Sequence, residues 1–408
     1  MKTNVYTLAI IGGGASGLTL ACALSKQGVS VAVFERGERV GKKLSATGNG
    51  QGNITHTNAG QERYFSSTKE GALQAQRAIQ VYDETHLTAF YQELGVLLAA
   101  DARGRVYPTG KQASALTDAL RYALSSQDVP VFTETQIVRL QKRNGVFCLT
   151  ANTKEGERTF LAHKVALCTG GKAAKNFGTD GSAYALAQAF GHTLTPLYPS
   201  LVQCKTDAKE CKTLKGIRVA DGVLTATVDG ERISEKGDIL FTDYGISGDA
   251  VFRLSSFFAH RVQDGVALSI DFLPDVAEET VYHMLVNKRK RFPTLAQSEL
   301  LFGIVNNQIG RVVMRRANDD LKKAAHVLKA FDMQACGTLG FDYAQVTKGG
   351  VPMCEVDTNL QSKKVDGLYF AGEILDVDGQ CGGFNLQWAY SSAQVVAQSI
   401  LHETRGQV

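Results

Sequence analysis

The chain has 408 residues, 44% of them apolar and 21% charged, a formal net charge of +4, and 41 glycines against only seven prolines. That length gives two or three domains with ample cores, and a surplus of four dispersed positive charges gives no nucleic-acid footprint, so Lys288-Arg289-Lys290-Arg291 and Arg311 to Arg316 are expected to form solvated helix faces. No apolar run reaches the ~18 residues of a membrane span, no signal-peptide layout precedes the first strand, and eight cysteines without C-x-x-C or metal-like spacing predict reduced thiols in a cytoplasmic protein that holds no metal.

The first apolar run, Ala9-Ile10-Ile11, reads as a buried strand, and Gly12, Gly14 and Gly17 then fit G-x-G-x-x-G, with Ala15 and Ser16 inside the motif. Leu18 to Gln27 reads as a helix stopped by Gly28, and Val31-Ala32-Val33-Phe34 as a second strand closing on Glu35. This order is the fingerprint of a dinucleotide site. Gly12 permits a tight turn, Gly14 lets the backbone approach a pyrophosphate, and Gly17 lets helix and strand pack closely. The helix N-terminus offers free N–H groups to the phosphates. Glu35 is placed to accept from the ribose hydroxyls, and Arg36 either stacks near adenine or faces water.

A loop rich in glycine and asparagine follows from Thr47 to Asn58, preceded by Gly41-Lys42-Lys43-Leu44. Residues 69–94 and 111–124 read as helical, and 130–150 and 159–169 as paired strands. Val165-Ala166-Leu167-Cys168 is a buried strand ending in the glycine turn Thr169-Gly170-Gly171, at the sheet edge where ligands bind in open α/β folds. Gly178-Thr179-Asp180-Gly181 opens a helix over 182–190. Beyond Pro196 the pattern changes to short alternating strands with turns at Asp221-Gly222 and Asp229-Gly230, and residues 275–330 have a helical period.

From about 347 the chain turns glycine-rich again. Gly367-Leu368-Tyr369-Phe370-Ala371-Gly372-Glu373 and Gly379-Gln380-Cys381-Gly382-Gly383-Phe384-Asn385 form a late segment of the kind that returns to cover a flavin, which favours FAD over a nicotinamide cofactor alone. Glu373 is the expected partner of a ribitol hydroxyl. Gly382, Gly383, Phe384 and Asn385 open a helix over 386–399 whose free N–H groups would face the ring edge that becomes negative on reduction. Cys381 is either a redox partner of the flavin or a spacer, and His56 is the one histidine with a catalytic address. The expected division is a discontinuous nucleotide domain, 1–195 with 346–408, a β-rich insert over 196–274 and a helical part over 275–345.

Several of these stretches carry a family likeness. Gly41-Lys42-Lys43-Leu44, Thr47-Gly48-Asn49-Gly50, Phe241-Thr242-Asp243-Tyr244-Gly245-Ile246-Ser247-Gly248, Thr347-Lys348-Gly349-Gly350-Val351 and the block from Ala371 to Gly379 resemble the BaiN/YhiN-like group of NAD(P)/FAD-dependent oxidoreductases, which includes aminoacetone-oxidase-like flavoproteins. The resemblance spans essentially the whole chain. It implies an α/β fold: a Rossmann-like FAD-binding domain of the two-dinucleotide type, with an inserted β-barrel-like substrate domain and a small helical subdomain. In related flavoproteins the loop holding Lys43, Leu44, Thr47, Gly48, Asn49 and Asn53 runs beside the pyrophosphate and over the flavin. The chain also departs from the group's pattern. Gln51 and Gly52 replace an Arg-Cys pair, Asp243 a histidine and Asp249 a proline, while Cys381 stands where a smaller residue is usual.

The resulting expectation is an oxidoreductase with non-covalent FAD acting on a small organic molecule of the amine or enone class. Its partner is a small-molecule substrate, without nucleic acid or a membrane span. The flavin is reduced by the substrate itself or by transient NAD(P)H, since only one G-x-G-x-x-G exists. An NAD-dependent dehydrogenase and an FAD-bearing regulatory protein are the alternatives.

Overall fold

A computed structural model describes residues 5–60 and 63–405. The chain divides into two compact units, one formed by the residues up to Tyr198 together with those from Val346 onward, the other by Pro199–Gln345.

The first unit is built on strand β1 (Val5–Ile11), whose last four residues are buried. Gly12, at φ 109°, turns the chain into helix α1 (Ala15–Ser25), and β2 (Val31–Phe34) returns parallel to β1 with Ile11 opposite Phe34. β3 (Gly156–Leu167) lies parallel on the other flank, Ile11 opposite Leu167, and β4 (Leu368–Phe370) extends the sheet beyond it. The carboxyl ends of four parallel strands, the first and last more than 350 residues apart in sequence, therefore lie along one edge. Val146–Thr153 and Gln136–Arg143 continue antiparallel from β3, and the short strand Val131–Phe132 pairs parallel with β2 on the other side, making a seven-stranded sheet. The all-apolar strands β2 and β4 are fully buried, as strands covered on both faces must be.

Helix α2 (Phe384–Arg405) packs on α1 and anchors the late segment. Trp388 on this helix and Tyr369 and Phe370 on β4 are among the largest fully buried side chains of the protein. Burying each contributes roughly 1.5–3 kcal/mol. No helix among the described residues is long and apolar enough to cross a membrane.

The second unit is a closed six-stranded barrel in the order Cys204–Thr206, Gly245–Ser247, Glu231–Phe241, Arg218–Val228, Val266–Asp271, Phe331–Thr338. Cys204 opposite Thr338 closes it. Three helices, Glu278–Arg291, Asn307–Arg316 and Leu321–Lys329, are inserted between its last two strands. The stretch expected to be helical to 345 thus returns to the barrel. Phe331, Met333 and Ala335 point inward while Asp332 and Gln334 are exposed, the period-2 signature of a strand. Asp229-Gly230 makes the expected hairpin turn, both residues at positive φ. Asp221-Gly222 does not turn the chain. It is absorbed as a bulge within Arg218–Val228, where Asp221 takes φ 52° and the register shifts.

Candidate dinucleotide and flavin site

At the carboxyl ends of β1, β2 and β3 lies a cleft of about 230 Å³, lined by Gly12, Phe34, Glu35, Arg36, residues 135–138, Thr169, Gly171 and residues 178–183. Each motif glycine has its own reason there. A Cβ on Gly12 would stand 2.3 Å from the Cys168 carbonyl oxygen and one on Gly17 only 1.9 Å from that of Gly12, so both are demanded by packing. A Cβ on Gly14 would meet nothing within 4 Å. That position is glycine without any steric demand from the protein, and the α1 N-terminus beside it has no side-chain cap. Free donors and vacant space coincide where a pyrophosphate would bind. The Thr169 hydroxyl, on the cleft wall, is buried with no hydrogen-bond partner. An orphaned buried hydroxyl is costly unless a ligand satisfies it. The residues present therefore fit a dinucleotide.

Glu35 is aimed by backbone amides, Oε2 accepting from Gly13 at 2.9 Å and Oε1 from Gly37 at 2.7 Å. A carboxylate has lone pairs to spare for two ribose hydroxyls after those bonds. Arg36 does not simply face water. Its Nη1 reaches Asp180 at 2.9 and 3.0 Å and Ser182 at 3.0 Å, spanning the cleft. Burial raises the Asp180 carboxyl, but the Ser182 and Arg36 hydrogen bonds outweigh it and hold the group at about 2.

The second cluster joins the loop after β2 to the late segment. Lys43 Nζ lies 2.8 Å from Glu373 Oε2, and Glu373 Oε1 accepts from the Thr347 amide at 2.9 Å. The Thr347 hydroxyl in turn accepts from the Lys172 and Ala173 amides at 2.7 and 2.9 Å. A Cβ on Gly171 would stand 2.5 Å from that hydroxyl, and Gly170 takes φ 69°. Glu373, expected on a ribitol hydroxyl, is thus first a clamp across three chain segments. Gly372 is held by α2, its amide donating to Ser392 Oγ at 2.9 Å and its carbonyl accepting from Trp388 Nε1 at 3.1 Å. Ser16 Oγ donates to the Ala371 carbonyl at 3.3 Å, linking the first motif to the second.

In the loop, Gly48, Asn49, Gly50 and Gly52 all take positive φ. Leu44 points into the core, 2% exposed, so only its backbone is available to a cofactor. Thr47 Oγ1 donates to the Leu44 carbonyl at 2.7 Å. Asn53, with its amide oriented to satisfy both neighbours, donates to the Thr55 carbonyl at 3.1 Å and accepts from the Gly383 amide at 3.3 Å. A Cβ on Gly383 would sit 2.5 Å from the Thr55 carbonyl oxygen. Phe384 is buried and stacked on His56 at 5.1 Å, while Asn385 braces the turn by bonding both polar backbone atoms of Gly379. The Asn385 side chain is therefore spent on the protein. So is His56: Nδ1 accepts from Asn58 N at 3.0 Å, the ring also bonds the Arg103 backbone, and burial lowers its pKa.

Three carboxylates hold this region together; Asp378 lies in the late flavin-type motif, where it ranks below Glu373 and reads as a turn cap, while nothing local in the sequence names the partners of Asp180 and Asp376. Asp180 answers Arg36. Asp376, 2% exposed, accepts from Ser66 Oγ and from the Ser67 amide and hydroxyl. Asp378, 1% exposed, faces Lys348 Nζ at 3.4 Å. Two departures from the resembling group resolve on the barrel unit. Asp243 is a surface residue ion-paired with Lys215 at 2.7 Å, and Asp249 opens helix Asp249–Phe258 and pairs with Arg253 at 2.6 Å.

A family model described as the HI0933-like protein Rossmann domain matches residues 6–399. The chain is 34% identical to a 3-dehydro-bile acid delta(4,6)-reductase of Clostridium scindens, over 96% of this chain and 98% of that one. It is 29% identical to a ribosomal RNA dihydrouridine synthase of Escherichia coli K12, over 96% and 97%. Among solved structures, a 3-ketosteroid-delta4-(5alpha)-dehydrogenase from Rhodococcus jostii RHA1 is similar at TM-score 0.50, with 16% identity and 97% of each chain covered. A 3-ketosteroid delta1-dehydrogenase from Sterolibacterium denitrificans follows at TM-score 0.51, with 13% identity over 98% of this chain and all of that one. These two show the fold, a Rossmann-like FAD-binding one. The chain belongs to the HI0933-like Rossmann-domain family and is a flavoprotein oxidoreductase.

Proposed function

We propose that the protein is an FAD-dependent reductase of carbon–carbon double bonds conjugated to a carbonyl, with FAD held non-covalently and NAD(P)H as the transient electron donor. One observation carries the choice of reaction. Two relatives matched over nearly their whole length are named for substrates of unrelated shape, a bile acid and a ribosomal RNA, yet both names describe saturation of such a bond. A delta-4 double bond beside a 3-oxo group and the uracil 5,6 bond beside its 4-carbonyl each accept a hydride at the carbon remote from the oxygen. Enone reduction is therefore favoured over amine oxidation.

Bound FAD supplies the hydride. The protein residues supply the rest. Glu35 and the open backbone at Gly14 take the adenosine and pyrophosphate portions, with the Thr169 hydroxyl finding its acceptor there. The Lys43–Glu373–Thr347 clamp and the Gly382-Gly383 turn into α2 hold the backbone that would flank the ring. Amides at the start of α2 favour negative charge by ~1 kcal/mol.

Anaerobic spectroscopy tests the reading. The purified protein should carry oxidised flavin that NADH or NADPH bleaches and that a 3-oxo-delta-4 steroid or a uridine substrate then restores. A saturated ketone should not restore it. Bleaching by primary amines, with no return of colour on adding either unsaturated acceptor, would replace this reading with amine oxidation.

A further inference from the structure

The barrel unit carries one surface whose composition the reductase reading does not use. Helix Glu278–Arg291 ends in Lys288, Arg289, Lys290 and Arg291, and none of the four lies within ion-pair distance of a carboxylate among the described residues. Its acids sit at the other end and are engaged by histidines, Glu278 by His326 at 3.1 Å and Glu279 by His283 at 3.0 Å. Arg289 is structural, donating to the Leu295 carbonyl at 2.8 Å and to Gln297 so that the following loop folds back. Lys290 and Arg291 are exposed, and Lys288, half-buried, donates to the Phe302 carbonyl while keeping its charge on the same face.

Exposed apolar rings accompany them. Of the five large exposed hydrophobic side chains described in this unit, three lie here: Met284 and Phe292, each 46% exposed, and Phe302, 43%. Met284, Lys288, Arg291 and Phe292 fall at i, i+4, i+7 and i+8, which is one helix face. The Lys288 ammonium stands 3.6 Å from the Phe302 ring centroid and the Arg291 guanidinium 5.9 Å from that of Phe292. A solvated helix end needs no exposed aromatics. Cations set among exposed rings are the chemistry of a single-stranded nucleic acid site, phosphates on the charges and bases stacked on the rings. A membrane surface fits less well, because the exposed side of this helix is mixed with His283, Asn287 and Lys290 and presents no continuous apolar stripe.

We infer that the face formed by Lys288, Lys290, Arg291, Phe292 and Phe302 docks single-stranded RNA. The surface stands on its own geometry, independent of which bond the enzyme reduces. It departs from the expectation, drawn from net charge, that these cations form a solvated helix face.

The test uses the full-length, flavin-loaded protein and the fluorescence anisotropy of a labelled oligouridylate of about twelve nucleotides between roughly 50 and 200 mM salt, a design that needs no turnover. Binding should weaken with salt. Replacing Lys288, Lys290 and Arg291 together with Gln should lower the magnitude of the log–log salt slope by about 2, at ~0.7 for each phosphate no longer neutralised. Phe292→Ala with Phe302→Ala should weaken binding at every salt concentration by at least about 5-fold while leaving the slope unchanged. Lys322→Gln with Lys323→Gln, on a neighbouring helix, should change neither. Absence of binding at the lowest salt overturns the inference, as does an unchanged slope in the triple variant. Binding of phosphatidylserine vesicles but not of RNA overturns it as well. Failure of enone reduction with RNA binding intact would strike only the reductase reading.

Discussion

Gly14 and Gly17 stand three residues apart in one motif, yet the structure assigns them opposite kinds of necessity. A Cβ at Gly17 would stand 1.9 Å from the Gly12 carbonyl oxygen and 3.2 Å from Ile10 Cγ2. Backbone cannot rotate away as a side chain can, so the strand–helix turn must open by about an ångström or more. Overpacking of this kind costs typically ~1–3 kcal/mol, with this case at the upper end. At about 2–4 °C per kcal/mol for a unit of this size, Gly17→Ala should lower the melting temperature of the flavin-free protein by roughly 6–12 °C. Gly14 lies at φ −89°, ψ −166°, a conformation open to any residue, and its Cβ would enter empty space. Gly14→Ala should therefore leave the flavin-free melting temperature within about 3 °C of the parent, the residue being a helix N-cap where Ala costs up to ~1 kcal/mol. The methyl would instead occupy the approach to the pyrophosphate. At a hundredfold excess of FAD over its dissociation constant, binding stabilises the parent by about 2.7 kcal/mol. That increment should largely vanish in Gly14→Ala. Differential scanning fluorimetry with and without FAD reads both effects. A full FAD-dependent shift in Gly14→Ala would refute the placement of the pyrophosphate, and an unchanged flavin-free melt in Gly17→Ala would refute the packing argument.

The remaining expectations concern charge. Glu35→Ala removes the carboxylate proposed to take the ribose and unpairs the Gly13 and Gly37 amides, so FAD affinity should fall about 10- to 100-fold by flavin fluorescence titration, at ~1.5–3 kcal/mol for a charged hydrogen bond. Lys43→Met and Glu373→Gln should each loosen the clamp, and a double-mutant cycle on urea unfolding should return a coupling of about 1–3 kcal/mol; a coupling near zero would deny that the pair acts as a unit. Acid should act on a buried cluster in two stages. Burial lowers the His192 pKa, so the unfolded chain takes up that proton first and stability is lost as pH falls below about 6.5. Burial raises Glu355, but bonds from Lys364, Thr193 and His192 prevail and hold it at about 2, so its contribution is present above the unfolded value near 4.5 and disappears between there and 2. Glu355→Gln should flatten the lower stage of a melting-temperature profile and leave the onset near 6.5. Asp243→His, restoring the resembling group's residue at an exposed ion pair, should leave the melting temperature and flavin reduction unaltered.

What could be read in sequence follows the distance over which each feature is encoded. The β1–α1–β2 unit with Glu35 is local, specified within about 25 residues by glycine spacing and apolar runs, and its geometry follows that spacing. The clamp is not local. Lys43 and Glu373 are 330 residues apart, and nothing in either neighbourhood names its partner. The same holds for Arg36 with Asp180. The barrel's last strand is hidden for a different reason: Phe331–Thr338 follows three helices, and its alternation is short enough to pass for their continuation. Asp221-Gly222 carries a turn signal that a long strand absorbs as a bulge, because its flanking residues already have a partner in Glu231–Phe241. Leu44 and Asn385 sit in flavin-type motifs, yet one side chain fills the core and the other braces a turn.

Three of the five departures from the resembling group, Gly52, Asp243 and Asp249, share a property. Asp243 finds Lys215, and Asp249 finds Arg253, whose guanidinium also bonds Glu235 at 2.7 Å. Gly52 takes φ 80°, and a Cβ there would stand 2.9 Å from Ala113 Cα, so the cysteine of the resembling loop would need a different backbone at this point. Each of these changes is thus compensated where it occurs, by a new ion pair or by a turn that only glycine makes. None falls on Gly12, Gly14, Gly17, Glu35, Glu373 or the Gly382-Gly383 turn. Random loss would leave uncompensated charges and strained loops scattered through both units. Substitutions that are accommodated locally and spare the dinucleotide cleft instead fit a protein that keeps its cofactor site.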